Sequence, residues 1–416
     1  MSLVQVPFGA SSLYYRSKFL WFALYRHNRG VRSLTFTMQD PRVKAFKETI
    51  LRFDYSLVVV VLGIATMGIV MVYSATKDKL AAAGLSPQYY LQRQAIFVAI
   101  GLVVMIIVSL IDYSKLANLS YIAYGGIFLA LLGVLTGIGK SALGSQRWYQ
   151  LGPFQLQPSE FAALGMIMAV AYYYETHQGE SSLKSLVTVL VMALIPMGLV
   201  IKQPDIGTAL IMGIVLAGML VVAGVPLRYL LLLGIGGTLV IFLVVHFGIL
   251  KHYQVQRLTA FLNPNKNALT TGYNLTESKI AIGSGSLFGK GLFNGPQTNL
   301  AYVPEQQTDF IFTAVGEQLG FIGAGGLLIA YGFLSFRIWS AMKSARDLLG
   351  RLLCGGIFAL VVYSVFQNAG MTMGIMPITG IPLPFMSYGG SATVAFSICM
   401  GFVLNVGMRR SRAERY

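Results

Sequence analysis

The stretch VPEQQTDFIFTAVGEQLG, residues 303–320, holds three carboxylates, Glu305, Asp309 and Glu317, in a chain that is only 11% charged. Asp309 stands directly before an apolar run, FIFTAV, that leads into a longer hydrophobic segment. Two kinds of chemistry suit an aspartate there. As a helix N-cap it would accept a free backbone amide and stabilise the helix by ~1 kcal/mol. As a carboxylate in a partly dehydrated groove it would act as a general base, taking the proton from a hydroxyl that attacks an electrophilic carbon. Ionisable residues at membrane segments are functional candidates by default, which favours the second.

Other motifs carry candidate groups. RWYQLGPFQLQPSEF, residues 147–161, brings Arg147 and Trp148 into a loop and Glu160 to the start of an apolar run. Trp148 suits an interfacial anchor, and Glu160, just after Pro158, also suits the positive end of a helix. KQPDIGTAL, residues 202–210, offers Lys202 as a cation and Asp205 as an N-cap. GSGSLFGKG, residues 283–291, looks like a phosphate-binding loop but has one residue too many between its glycines and Gly291 where a hydroxyl is required. Its glycines suit tight turns or close approach, and Lys290 suits either a phosphate or plain solvation. MGIMPITGIPLPFMSYGGSA, residues 373–392, has three prolines and four glycines and cannot be regular helix. Irregular backbone near membrane depth persists where it lines a cavity, so this segment reads as a cavity floor. The four histidines, His27, His177, His246 and His252, have no metal-ligand spacing, and Cys354 and Cys399 sit inside apolar runs as small core residues.

These groups must be positioned by membrane helices. Hydrophobic residues make up 55% of the chain, mean hydropathy is +0.67, and glycine reaches 46 of 416 residues. Apolar runs of about twenty residues recur, each long enough to cross a ~30 Å hydrocarbon core. Their continuity points to helices, so the fold class is all-α, a polytopic membrane protein of about ten spans. The spans are expected near 55–75, 92–111, 118–138, 158–175, 185–201, 206–224, 229–248, 309–335, 352–371 and 388–408. The larger share of Lys and Arg falls on the side of the termini, which places both termini in the cytoplasm and Asp309 at the outer face. The net charge of +16 therefore reports topology, and no nucleic-acid partner is expected. A long outer loop, 249–308, joins spans seven and eight, and its apolar patch KIAIGSGSLFGKGLF is expected to lie along or re-enter the membrane. Residues 1–53 form a basic N-terminal segment. Its Arg16, Lys18, Arg26, Arg29 and Arg32 suit either an anionic lipid surface or a disordered extension upstream of Met38. Residues 54–408 form the transmembrane domain and 409–416 a basic tail.

With its motifs RWYQLGPFQLQPSEF, QPDIGTAL, GYNLTESKIAIGSGSLFGKG, VPEQQTDFIFTAVGEQLGFIG and PITGIPLPFMSYGGSA in that order, the chain resembles the SEDS family (shape, elongation, division and sporulation) across residues 54–408. The wording TGIPLPFMSYGGS and NLTESKIAIGSGSLFGKG is more similar to the RodA elongation branch than to the FtsW division branch. The resemblance implies a peptidoglycan glycosyltransferase of the bacterial cytoplasmic membrane that polymerises lipid II at the outer face. It implies that Asp309 is the catalytic residue, and Arg147, Lys202 and Lys290 are the outward cations available to a leaving diphosphate. Glu160, Glu305 and Ser387 complete the candidate substrate contacts. A divalent cation, Mg2+ or Mn2+, is the alternative to the basic side chains for the diphosphate; no organic cofactor is expected, and the resemblance implies a class B penicillin-binding protein as partner. A division polymerase and a lipid II flippase are the alternatives, and a scaffold role toward the partner is compatible with catalysis. One departure stands out: the family commonly has Lys three residues after the Glu of QPSE, where this chain has Ala163.

Overall fold

The computed structural model describes residues 52–136, 140–142, 145–152, 154–179, 182–247, 261 and 271–409. The N-terminal basic segment up to residue 51, the tail from residue 410 and most of 249–270 lie outside the described residues. From Phe53 onward the chain forms one compact unit.

The described helices run in order α1 (Tyr55–Ala82), α2 (Tyr89–Leu110), α3 (Tyr113–Ala117), α4 (Ser120–Leu135), α5 (Pro158–Thr176), α6 (Leu183–Lys202), α7 (Ile206–Val222), α8 (Leu227–His246), α9 (Thr271–Ser284), α10 (Pro296–Asn299), α11 (Ile311–Lys343), α12 (Leu348–Met373) and α13 (Gly390–Met408). Each expected span falls on one of these helices. Six are long and apolar enough to cross a membrane, namely α1, α2, α6, α11, α12 and α13. Ser120–Leu135, Ile206–Val222 and Leu227–Leu239 are shorter apolar segments. Helix α5 is in neither group, and its surroundings explain why. It packs against α4, α6, α7, α12 and α13, and its residues from Ala162 to Tyr174 are largely buried. A helix enclosed by protein needs no lipid-facing apolar stripe. Helices α2, α4 and α8, by contrast, expose Ile100, Val103, Ile122, Leu129, Leu232 and Ile235. Such a belt is the surface a bilayer solvates.

Close crossings depend on small residues, as expected where lipid supplies no hydrophobic drive between helices. A Cβ at Gly401 of α13 would meet the Met105 carbonyl of α2 at 2.8 Å, and one at Gly356 of α12 would meet Ile167 of α5 at the same distance.

One segment expected as a plain loop is structured. Strands β1 (Lys140–Ala142), β2 (Ser145–Leu151) and β3 (Phe154–Leu156) form an antiparallel sheet in the order β1-β2-β3, with Gln150 opposite Gln155. This hairpin fixes Arg147 in space. The long helix α11 is two segments joined at Gly320, which has φ 66. The glycine loop after α9 closes against that break. Lys290 N donates to Glu317 O at 2.9 Å, Gly291 N to Gln318 O at 3.0 Å, Phe321 N to Ser286 O at 2.8 Å and Ile322 N to Leu287 O at 3.1 Å. The loop satisfies the backbone groups that the break releases. Side chains have no room here, since a Cβ at Gly285 or Gly289 would strike the carbonyl of Gly316 or Gln318. The glycines of the false phosphate loop thus serve close backbone approach.

Candidate active site

Helices α5, α7 and α11 begin at the same end of the bundle, and each carries a carboxylate at its start. Helix α7 starts there because Asp205 caps it, its Oδ1 accepting from Thr208 N at 3.3 Å. The other oxygen accepts from Ser159 Oγ at 3.1 Å and Gln157 Nε2 at 3.4 Å, which ties α7 to the head of α5. Arg147, presented by β2, lies 3.7 Å from Asp205. Its guanidinium also donates to the Gln203 carbonyl at 2.9 Å and to the Pro204 carbonyl. Arg147 is therefore a clasp on the Gln203–Asp205 turn, and its charge remains at the site.

Glu160, in the first turn of α5, is half-buried. The charges acting on it are those of Asp205, Asp309 and Arg147, so residues distant in sequence share one electrostatic neighbourhood. Glu160 borders a cavity of about 30 Å³, with Ala163, Thr208, Ser364 and Cys399 among its walls. That volume suits a single water. Ala163, where the family commonly has Lys, is buried in this wall.

Asp309 is half-buried and lies just outside α11. The capping position belongs to Phe310, which makes no side-chain cap. Backbone contacts hold Asp309 in place: its N–H donates to Glu305 O at 3.1 Å and its carbonyl accepts from Asn368 Nδ2 of α12 at 2.9 Å. The same Asn368 amide donates to Ile381 O at 2.8 Å, so the proline-rich segment and Asp309 share one anchor.

The remaining candidates are placed differently. Glu305 is exposed, adopts a left-handed φ of 49 and accepts from Gln307 Nε2 at 3.2 Å. Ser387 is buried and its hydroxyl accepts from Leu383 N at 2.9 Å, which pins the proline-rich turn. Lys202 and Lys290 are exposed and stand apart from the bonds that join Arg147, Ser159 and Asp205. Glu317, the third carboxylate of the opening motif, is a fully buried anchor. It accepts from Gln297 N at 2.7 Å, Thr298 N at 3.0 Å and Thr298 Oγ1 at 2.6 Å, fixing α10 to α11. Gln318 Oε1 similarly accepts from Ser74 Oγ at 2.8 Å and Phe293 N at 3.0 Å.

Gln157 and Ser159 were not singled out from sequence, although both stand in the motif that carries Glu160. Ser391 joins them, its hydroxyl accepting from Gln157 N at 2.9 Å. The buried Gln94 of α2 donates to Ser387 O at 3.3 Å and accepts from Gly389 N at 3.4 Å. A polar residue inside the apolar run of α2 was the signal available for it.

With three carboxylates and one guanidinium gathered at the helix heads, comparison with known proteins becomes decisive. The family model for FtsW, RodA and SpoVE, described as cell cycle protein, matches residues 55–412. The chain belongs to this family. It is 36% identical over 358 residues to the probable peptidoglycan glycosyltransferase FtsW of Trichlorobacter lovleyi, covering 85% of this chain and 93% of the relative. It is 33% identical over 382 residues to the peptidoglycan glycosyltransferase MrdB of Escherichia coli K12, covering 90% of this chain and 99% of the relative. A solved structure described as a peptidoglycan synthase complex, coordinating polymerization and crosslinking, matches with a TM-score of 0.74 and 30% identity over 86% of this chain and 99% of that one. As a member of this family with its belt of apolar helices, the chain is a multi-pass protein of the bacterial cytoplasmic membrane. Relatives of both branches match at similar identity.

Proposed function

We propose that the chain is a peptidoglycan glycosyltransferase that polymerises lipid II, with Asp309 as general base. The observation that carries the reading is the placement of Asp309, half-buried beside an irregular loop, among the charges that act on Glu160. In the reaction, an acceptor sugar hydroxyl attacks the anomeric carbon of a second lipid-linked sugar. A carbon–oxygen bond forms, the bond to the diphosphate breaks, and Asp309 takes the hydroxyl proton. Glu160 and Arg147 set the field in which this occurs, and holding both substrates in one groove supplies orientation.

Among the described residues no group of three or more His, Cys, Asp or Glu could hold a metal ion. Asp205 is already engaged by Arg147, Ser159 and its own helix. The described carboxylates therefore do not form a cation cage by themselves. A divalent cation, Mg2+ or Mn2+, would take most of its oxygens from the substrate diphosphate.

The positive-inside distribution of Lys and Arg supports an outward-facing site. Elongation is the favoured role, supported by the wording of TGIPLPFMSYGGS and NLTESKIAIGSGSLFGKG. A class B penicillin-binding protein is the fitting partner, supported by the likeness to a complex that couples polymerization to crosslinking. The test is lipid II polymerisation by the purified full chain, with that partner and a divalent cation. Glycan strands are expected, and their absence while the partner's transpeptidase remains active would overturn the reading.

A further inference from the structure

The segment from Glu305 to Asp309 has two ends with different company. Its Asp309 end faces Glu160. Its Glu305 end lies within electrostatic reach of Tyr90 at the head of α2, and Tyr90 belongs to a group of aromatic side chains around one arginine. Tyr90 packs on Tyr388 with ring centroids 4.8 Å apart and on Tyr89 at 5.2 Å. Phe97 joins Tyr388 at 6.1 Å and Phe154 of β3 at 5.8 Å. The Arg93 guanidinium lies 4.3 Å from the Tyr89 ring centroid and against the Tyr388 hydroxyl. Tyr388 N donates to Gln307 O at 2.8 Å, so this group is bonded directly to the Asp309 segment.

Arg93 differs from three other half-buried arginines. Arg147, Arg337 and Arg409 each face an aspartate, whereas none of the described ion pairs includes Arg93. Tyr89 and Phe154 are 41% and 42% exposed, so the group is open to a ligand. A guanidinium outside the described ion pairs matches phosphate oxygens in a bidentate fork. Tyrosine rings pack the apolar face of a pyranose, and the exposed Glu305 carboxylate accepts from sugar hydroxyls. That combination is selective for a sugar joined to a diphosphate.

We propose that Arg93, Tyr90, Tyr388 and Glu305 form a subsite for the diphosphate-linked sugar of one of the two substrates, with Arg93 on the diphosphate. The subsite rests on the glycosyltransferase reading above and adds a binding residue to it. Two lipid-linked diphosphates must meet at Asp309, and the Arg147 clasp accounts for only one cation there.

The test uses the purified full chain in nanodiscs, with undecaprenyl diphosphate, undecaprenol and lipid II as probes. Arg93→Gln is expected to weaken undecaprenyl diphosphate binding by about tenfold or more, the scale of a charge-assisted hydrogen bond, and to leave undecaprenol binding unchanged. Arg93→Lys, which keeps the charge without the fork, is expected to recover part of the loss. Glu305→Gln is expected to weaken lipid II binding and spare undecaprenyl diphosphate. Unchanged diphosphate binding in Arg93→Gln, or equal loss of both prenyl probes, would overturn the subsite. The wild-type chain gives a second measurement independent of variant folding. Undecaprenyl diphosphate is expected to protect Arg93 from phenylglyoxal, read by mass spectrometry, and undecaprenol is not. Absence of protection would also overturn it. If the wild type polymerises lipid II while Arg93→Gln keeps its affinity and KM, the subsite fails and the glycosyltransferase reading stands. Diphosphate binding through Arg93 without polymerisation would have the opposite meaning.

Discussion

At the end of the bundle where α1 begins and α13 finishes, acids meet bases. Asp54 holds Arg337 at 2.6 Å, Asp112 faces Arg346 at 3.4 Å and Arg409 at 3.5 Å, and Asp347 holds Arg346 at 3.1 Å. Tyr113 donates to Asp347 at 2.8 Å, and Asn405 accepts from Tyr113 N at 3.2 Å and Arg409 at 2.6 Å. These bonds fasten α1 to α11, and α3, α12 and α13 to one another. At the opposite end acids meet acids: Glu160 feels both Asp205 and Asp309, and Arg147 is the counter-charge of Glu160 and Asp205. Matched pairs secure helix ends, whereas like charges held together raise the energy of the ionised state and recur where protons are moved. The two ends use the same residue types, and only the pairing separates fastening from chemistry.

Changes at the two ends should therefore have different consequences. Glu160→Gln keeps the shape of the site and removes one of its charges. Turnover in lipid II polymerisation is expected to fall about a hundredfold, within the usual range for an electrostatic contribution at an active site, with the thermal midpoint nearly unchanged. Full activity would move Glu160 to the fastening class. Gly289→Ala acts at the seam that supports α11. Its Cβ would strike the Gln318 carbonyl, and its φ of 81 disfavours a side chain. About 1–3 kcal/mol of stability is expected to be lost, with some activity, because the seam positions the helix behind Asp309. Thermal unfolding and turnover measured on one preparation separate the two losses.

Arg337→Gln belongs to the fastening end. A partly exposed ion pair contributes about 1 kcal/mol or less, so a small drop in midpoint with normal turnover per folded molecule is expected. The smallest effect concerns acid. Burial raises the affinity of the Asp54 carboxyl for a proton, but bonds from Ser56, Arg337 and Leu57 outweigh it and hold the group below its ordinary 3.8. A depressed value means that its stabilisation is complete above about 3.8 and fades as pH falls through the lower folded value. The midpoint of the wild type is expected to fall more steeply with acid than that of Asp54→Asn. Equal slopes would show that the pair contributes nothing.

Much of this division was legible in the residues. The apolar runs located the helices because a bilayer demands about twenty such residues in a row. QPDIGTAL announced the cap made by Asp205, and the prolines of 373–392 announced the break between α12 and α13. What stayed hidden depends on long-range pairing. Arg147 owes its position to a short hairpin, whose three-residue partner strands β1 and β3 leave almost no periodic signal. Glu317 and Asp309 looked alike as carboxylates near lipid. Only the fold shows that Glu317 is consumed by the amides of Gln297 and Thr298, while Phe310 takes the capping position beside Asp309. Arg93 was invisible as a site residue because its neighbour Tyr388 lies far along the chain.

The central claim is that Asp309 moves a proton and does not serve as a cap. Asparagine has the same size and caps helices equally well, so Asp309→Asn separates the two roles. The measurement is glycan strand synthesis from lipid II by the purified variant beside the wild type, with folding checked by thermal unfolding. Loss of strand synthesis in a folded variant is the expected result. Strands of normal length formed at a normal rate would contradict it.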